Sequence, residues 1–150
     1  MANVTFYLLE QDDPKQASEL ACLLAVRHFR QRQRSFVCCA DQAVAEAVDE
    51  LMWQRPAEGF VPHNLPGEGP ANGAPVQIGW QWRQANQCQV LINVSHSMPD
   101  SLSGYRFIYD LVPADEAGKQ AARERYKQYR AAGHQLDTRP AHELFETNHG

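Results

Sequence analysis

Four cations and a tyrosine on a single helical stripe are the residues of this chain best equipped to hold a ligand. Lys119, Arg123, Tyr126, Lys127 and Arg130 recur at three- and four-residue steps, so a helix places all five on one side. The stretch from Lys119 to Arg130 holds five of the 14 lysines and arginines of a protein whose net charge is -4. Such a concentration calls for an anionic partner: a phosphate chain, with the tyrosine stacking on a base, or carboxylates of a peptide. Ala121, Ala122, Tyr129 and Ala132 lie away from the stripe and are expected to dock the helix on a sheet.

Other chemistry is weakly supported. A nucleotide-binding turn needs glycines between the first strand and first helix, so that backbone N–H groups can face an anion. Here the turn is Glu10-Gln-Asp-Asp13, with three acids and no glycine, and it would repel phosphate. The glycine cluster from Gly67 to Gly73 lacks the lysine and hydroxyl of a P-loop. No G-x-S-x-G elbow occurs, and Cys22, Cys38, Cys39 and Cys88 have neither zinc spacing nor a nucleophile signature, so they are read as buried free thiols. His63 and Glu68 could form an acid/base pair, although a loop histidine bonded to backbone is the commoner arrangement. Asp12 and Asp13 have no third ligand for magnesium, and His142 and His149 read as solvated. No catalytic residue, metal or cofactor is assigned.

The elements that must position the stripe are legible as alternating strands and helices. Val4–Leu9 reads as a buried first strand, and a helix from Pro14 to about Gln31 follows, its apolar residues spaced by three and four. Arg27, Arg30, Arg32 and Arg34 gather at its end, where cations suit the helix dipole. Ser35–Ala40 reads as a second strand, and Asp41 caps a helix running to about Trp53. From Arg55 to Pro75 the chain holds five of its nine prolines and four of its nine glycines, which predicts a long ordered loop. Strands follow at Val76–Gly79, Gln89–Val94 and Phe107–Val112, with Trp80 and Trp82 expected on an edge strand and turn. Beyond Gly133, the polar segment from Asp137 to Gly150 is expected to be a mobile tail. The pattern implies one α/β domain with a mostly parallel sheet flanked by helices.

One domain also suits 150 residues with 43% apolar and 21% charged side chains. No window approaches a membrane span, and the start lacks a signal core, so a cytoplasmic location is expected. The negative net charge argues against wrapping a nucleic acid over a large surface. Trp53 and Phe60, where a helix yields to a proline-rich loop, could cap the core or form an interface.

Several segments together resemble the chi subunit family of bacterial DNA polymerase III. They are Thr5-Phe-Tyr-Leu-Leu9, Trp53-x-Arg-Pro-Ala-Glu-x-Phe-Val-Pro-His-Asn-Leu65, Gly67-Glu-Gly69, Gly73-Ala-Pro-Val76 and Ala122-Arg-Glu-Arg-Tyr-Lys-x-Tyr-Arg130. The resemblance defines a chi-like domain over 1–137 and leaves 138–150 as the tail. It implies a Rossmann-like fold without a nucleotide site, and a non-catalytic accessory role. It also implies two partners: the psi subunit, which tethers such proteins to the clamp loader, and the acidic C-terminal tail of single-stranded DNA-binding protein. The tail-binding group of the family falls on Val112, Arg123, Tyr126 and Lys127, with Lys119 and Arg130 on the same stripe. The psi-facing group falls on Trp53 and Phe60, a surface that a DNA helicase is implied to use in some relatives. Nucleic acid would be reached indirectly; direct single-strand binding through the basic helix is the alternative.

Overall fold

The computed structural model of the chain describes residues 2–11, 13–54 and 61–147. Among them, seven strands form one sheet: β1 (Asn3–Leu8), β2 (Ser35–Cys38), β3 (His63–Asn64), β4 (Val76–Gly79), β5 (Val90–Asn93), β6 (Phe107–Val112) and β7 (Gln135–Pro140). Their order is β3-β4-β2-β5-β6-β1-β7, and every neighbouring pair is parallel. Helices α1 (Pro14–Arg30), α2 (Gln42–Trp53), α3 (Glu116–Ala131) and α4 (Ala141–Thr147) complete a Rossmann-like α/β arrangement.

Parallel strands must be covered on both faces, which is why β2, β4 and β5 are buried at every position. Alternate residues of each strand feed two cores. Val37, Val90, Ile92 and Leu111 pack with α1, α2 and α4, whereas Val4, Phe6, Phe36, Leu91, Ile108 and Val112 pack with Ala122 and Tyr129 of α3. Helix starts follow the local chemistry. Asp13 caps α1 by accepting from the Lys15 N–H at 3.0 Å, with Pro14 in the first turn, and Asp41 caps α2 by accepting from the Val44 N–H at 2.9 Å.

Three expectations are corrected. The proline-rich stretch contains β3, whose two residues pair with Val76 and Gln77 and take the sheet edge away from β4. Trp80 accordingly packs against the core rather than along an edge. The described part of the segment expected to be a mobile tail, 137–147, instead belongs to β7 and α4, while 148–150 lie outside the described residues. β7 pairs with β1 along its whole length, and Ala141 and Leu144 of α4 are buried in the core beside α1. Its polar composition misled because β7 is a solvent-facing edge strand, held by backbone bonds more than by side-chain burial.

The strongest polar tie runs between the sheet and α3. Asp110 points from β6 towards α3 and is fully buried, and Arg125 meets it from the helix at 3% exposure. Arg125 Nε donates to Asp110 Oδ2 at 2.7 Å, Nη2 donates to Oδ1 at 2.8 Å, and Nη1 donates to the His96 carbonyl at 2.7 Å. Burial pushes the Asp110 carboxyl above its ordinary value while the guanidinium pulls it down, and the two-pronged contact requires the ionised form.

Removing one partner strands a buried charge. Arg125→Ala or Asp110→Ala is expected to destabilise the protein by about 3–5 kcal/mol in urea unfolding, while the paired apolar replacement Asp110→Leu/Arg125→Met loses far less than the two singles combined. Equal, additive losses would refute the coupling.

A cationic groove beside helix α3

Helix α3 begins hard against the end of β6. Asp115 caps it by accepting from the Gly118 N–H at 3.2 Å, and a Cβ on Gly118 would lie 2.6 Å from both Asp115 Oδ1 and Pro113 Cβ. Glycine is needed there for close approach. Inward-facing Ala122, Arg125 and Tyr129 then seat the helix, so Lys119, Arg123, Tyr126, Lys127 and Arg130 come out along one side. Ala121 and Ala132, expected on the docking face, are exposed; Arg125 takes the inward position because Asp110 draws it there.

Those five side chains line one open groove of about 620 Å³, together with Phe6 and Leu8 of β1, Val112 of β6, Ala122, and Thr138 of β7. Its floor is apolar and aromatic. Tyr126 leans on Phe6 at 5.4 Å between ring centroids, and Tyr129 meets the same ring edge-on at 5.8 Å. Leu8 is 41% exposed, an uncommon place for leucine in a central strand unless something else covers it.

The cations on the rim are loosely engaged. Lys119 Nζ lies 4.0 Å from Glu116 Oε1, Lys127 Nζ lies 3.4 Å from Glu124 Oε1, and Arg123 Nη1 donates to Gln120 Oε1 at 2.9 Å. Arg130 makes no ion pair among the described residues. Exposed pairs of this kind are worth about 1 kcal/mol or less, so an incoming anion can displace them. The groove therefore offers positive charge around an apolar cleft, suited to a short ligand carrying carboxylates and a ring.

The sites weighed against this one are engaged elsewhere. At the turn after β1, where a Rossmann fold holds phosphate, Glu10 accepts from the His142 N–H at 2.7 Å and contacts His142 Nδ1 at 2.9 Å. Those hydrogen bonds hold the Glu10 carboxyl below its ordinary value, so the position stays anionic. His63 Nδ1 contacts the Val61 carbonyl at 2.8 Å, and its Nε2 lies 3.4 Å from Asp49 rather than beside Glu68. Asp12 and His149 lie outside the described residues. Among the described residues no group of three His, Cys, Asp or Glu could hold a metal, and no helix is long and apolar enough to cross a membrane.

A second surface forms where α2 ends. Trp53 is 56% exposed, and its ring lies 4.7 Å from that of His63 at 65°. Phe60, expected to share this surface, lies outside the described residues.

The groove also uses residues the sequence reading missed: Phe6, Leu8 and Thr138. Phe6 and Leu8 are two apart on one strand and so share a face, and an adjacent α3 would have exposed that relation. Arg125 had its own signal, a lone aspartate at an inward position of an apolar strand, which demands a cation.

Fold and site together define a Rossmann-like protein without a glycine phosphate turn and with a cationic, aromatic-floored groove beside α3. The family model of the DNA polymerase III chi subunit, HolC, matches residues 1–137. The chain is 43% identical over 143 residues to DNA polymerase III subunit chi of Escherichia coli K12, covering 92% of this chain and 97% of that one. It is 39% identical over 134 residues to the Haemophilus influenzae subunit, covering 89% and 93%. Against the Pseudomonas aeruginosa subunit it is 32% identical over 136 residues, covering 91% and 94%. The chain belongs to the DNA polymerase III chi subunit family, which places it in DNA replication.

The four cysteines are buried thiols, none of them in a disulfide. Burial pushes the Cys38 and Cys39 thiols up to about 12 and the Cys88 thiol up to about 11, which removes thiolate at neutral pH. Ellman's reagent at pH 8 is expected to label none of them quickly in native protein and all four in urea. Labelling of the native protein at the rate of a free thiol would contradict the burial.

Proposed function

We propose that this subunit is a non-catalytic adaptor that joins the clamp-loader complex, through the psi subunit, to the acidic C-terminal tail of single-stranded DNA-binding protein. The observation that carries the reading is the convergence of Lys119, Arg123, Lys127 and Arg130 around the floor made by Phe6, Leu8, Val112 and Tyr126. A peptide ending in acids, an aromatic ring and a free carboxylate matches that arrangement group for group. Arginine and lysine take the anions, and the ring fills the cleft between Leu8, Val112 and Tyr126. Rim charges alone are too weak for micromolar binding, on the order of 8 kcal/mol, so the apolar floor must share the work.

The exposed Trp53 at the end of α2 supports a separate psi-facing surface, to which Phe60 is assigned by family resemblance alone. A helicase using that surface would compete with psi. Two surfaces on different sides of the sheet let one molecule hold both partners at once.

Calorimetric titration of a synthetic tail peptide is expected to show saturable binding that weakens as salt rises. Arg123→Ala and Tyr126→Ala should each weaken it about tenfold, with folding intact. Unchanged affinity in both variants sinks the assigned site. Trp53→Ala should abolish co-purification with co-expressed psi while leaving peptide binding as it was; retained co-purification would remove Trp53 from that interface.

A further inference from the structure

The sheet face that carries α3 is only half covered by it. Over β2 and β5 the same face is closed by the single 3-10 turn Trp82–Gln84 and by the loop before β6, whose Met98, Leu102 and Tyr105 pack onto Phe36, Cys38 and Leu91. Between them lies a second open groove of about 540 Å³, whose lining includes Trp82, Arg83, Gln89, Asp100, Ser103 and Tyr105. It shares no residue with the groove beside α3.

Charge is distributed unevenly about it. Because all strands are parallel, their N-terminal ends share one edge of the molecule, and Arg34, Gln89 and Arg106 stand side by side there just before β2, β5 and β6. The Gln89 N–H donates to the Arg34 carbonyl at 3.0 Å, and the Arg106 N–H donates to the Gln89 carbonyl at 2.7 Å. The end of α1, with Arg27 and then Arg32, reaches the same edge, whereas the capping aspartates Asp13, Asp41 and Asp115 sit at the opposite one. Dipole compensation accounts for Arg27. It does not account for Arg106, which follows a loop, or for Arg83, on one short turn. Both are exposed and make no ion pair among the described residues, whereas the Arg34 guanidinium is spent on the carbonyls of Asn72, Gly73 and Asn86.

Two half-buried aromatic rings in a groove lined by Arg83, whose Nε donates only to Gln81 Oε1 at 3.0 Å, with exposed Arg106 next to Tyr105 in the chain, form an arrangement that can take a stacked base and its neighbouring phosphates. We propose that this groove is a low-affinity site for single-stranded DNA, in which one base stacks on Trp82 and Tyr105 while Arg83 and Arg106 hold the flanking phosphates. Asp100, the one carboxylate in the lining, then accepts a hydrogen bond from an exocyclic base amine instead of facing the backbone. A site of this kind suits a subunit that works in replication: weak alone, it becomes effective when another contact holds the protein close to the strand and raises the local concentration. It is independent of the peptide reading, since the grooves are separate.

Fluorescence anisotropy of the full chain with a labelled single strand of about 16 nucleotides tests it. Saturable binding is expected at about 50 mM salt, falling about sevenfold by about 200 mM as two phosphate contacts are lost to counterions. Trp82→Ala should weaken binding at least about fivefold. Should Trp82→Ala melt early, Arg83→Glu/Arg106→Glu changes only exposed side chains; it should weaken the strand about tenfold or more and leave tail-peptide affinity unchanged. Arg123→Glu should do the reverse. Absence of saturable binding at low salt, an unchanged affinity in the double variant, or an equal loss in Arg123→Glu would overturn the proposal.

Discussion

Arg125 lies in the most basic helix of the molecule, yet it is the one cation of that helix turned away from solvent. Its contact with Asp110 sets the rotation of α3 about its own axis, and every other cation of the helix takes its direction from that. A turn of the helix by one residue would swing Tyr126 off the Phe6 ring and carry Arg123 and Lys127 out of line with the groove. The third bond, to the His96 carbonyl, ties the loop after β5 into the same junction. One buried ion pair thus holds together β6, α3 and the loop between β5 and β6. Its role is specificity of placement more than net stability, because an apolar pair could pack there without fixing the angle.

The scaffold is one that elsewhere holds nucleotides in the crevice beyond the strand carboxyl ends. In this chain that crevice carries negative charge. The turn after β1 is acidic and bridged by the Glu10–His142 contact, and an open groove lies to one side of it, on the face beneath α3, where Leu8 and Val112 end their strands. The fold supplies parallel strands whose ends converge; which ligand they receive depends on a few side chains.

The strands and long helices were legible because their residues repeat at two or at three and four, and Asp13, Asp41 and Pro14 mark the helix starts in plain chemistry. The stripe on α3 was legible for the same reason. What escaped were relations across the chain. Phe6, Leu8 and Thr138 belong to the groove only because β1 and β7 lie under α3, and no local pattern records that neighbourhood. β7 and α4 escaped for the opposite reason: their residues are polar, and their order comes from pairing with β1 and from two buried side chains, Ala141 and Leu144. Arg125 was hidden among charges that do face water, although Asp110 in its apolar strand signalled that some cation must be inside.

The strand made first is paired with those made last. Asn3 lies beside Phe107 on one side and Gln135 on the other, so β1 has no partner until β6 has been made, and gains its second only when β7 follows. During synthesis Val4, Phe6, Tyr7 and Leu9 must wait while β2, β4 and β5, near neighbours in sequence, can already assemble with α1 and α2. Closure of the sheet is then a late, long-range step, slow by the standards of local contacts and exposed to mispairing while it is pending. It also means that the groove beside α3 is assembled from both ends of the chain: its floor needs β1 seated beside β6, its rim needs α3, and Thr138 of β7 completes it last.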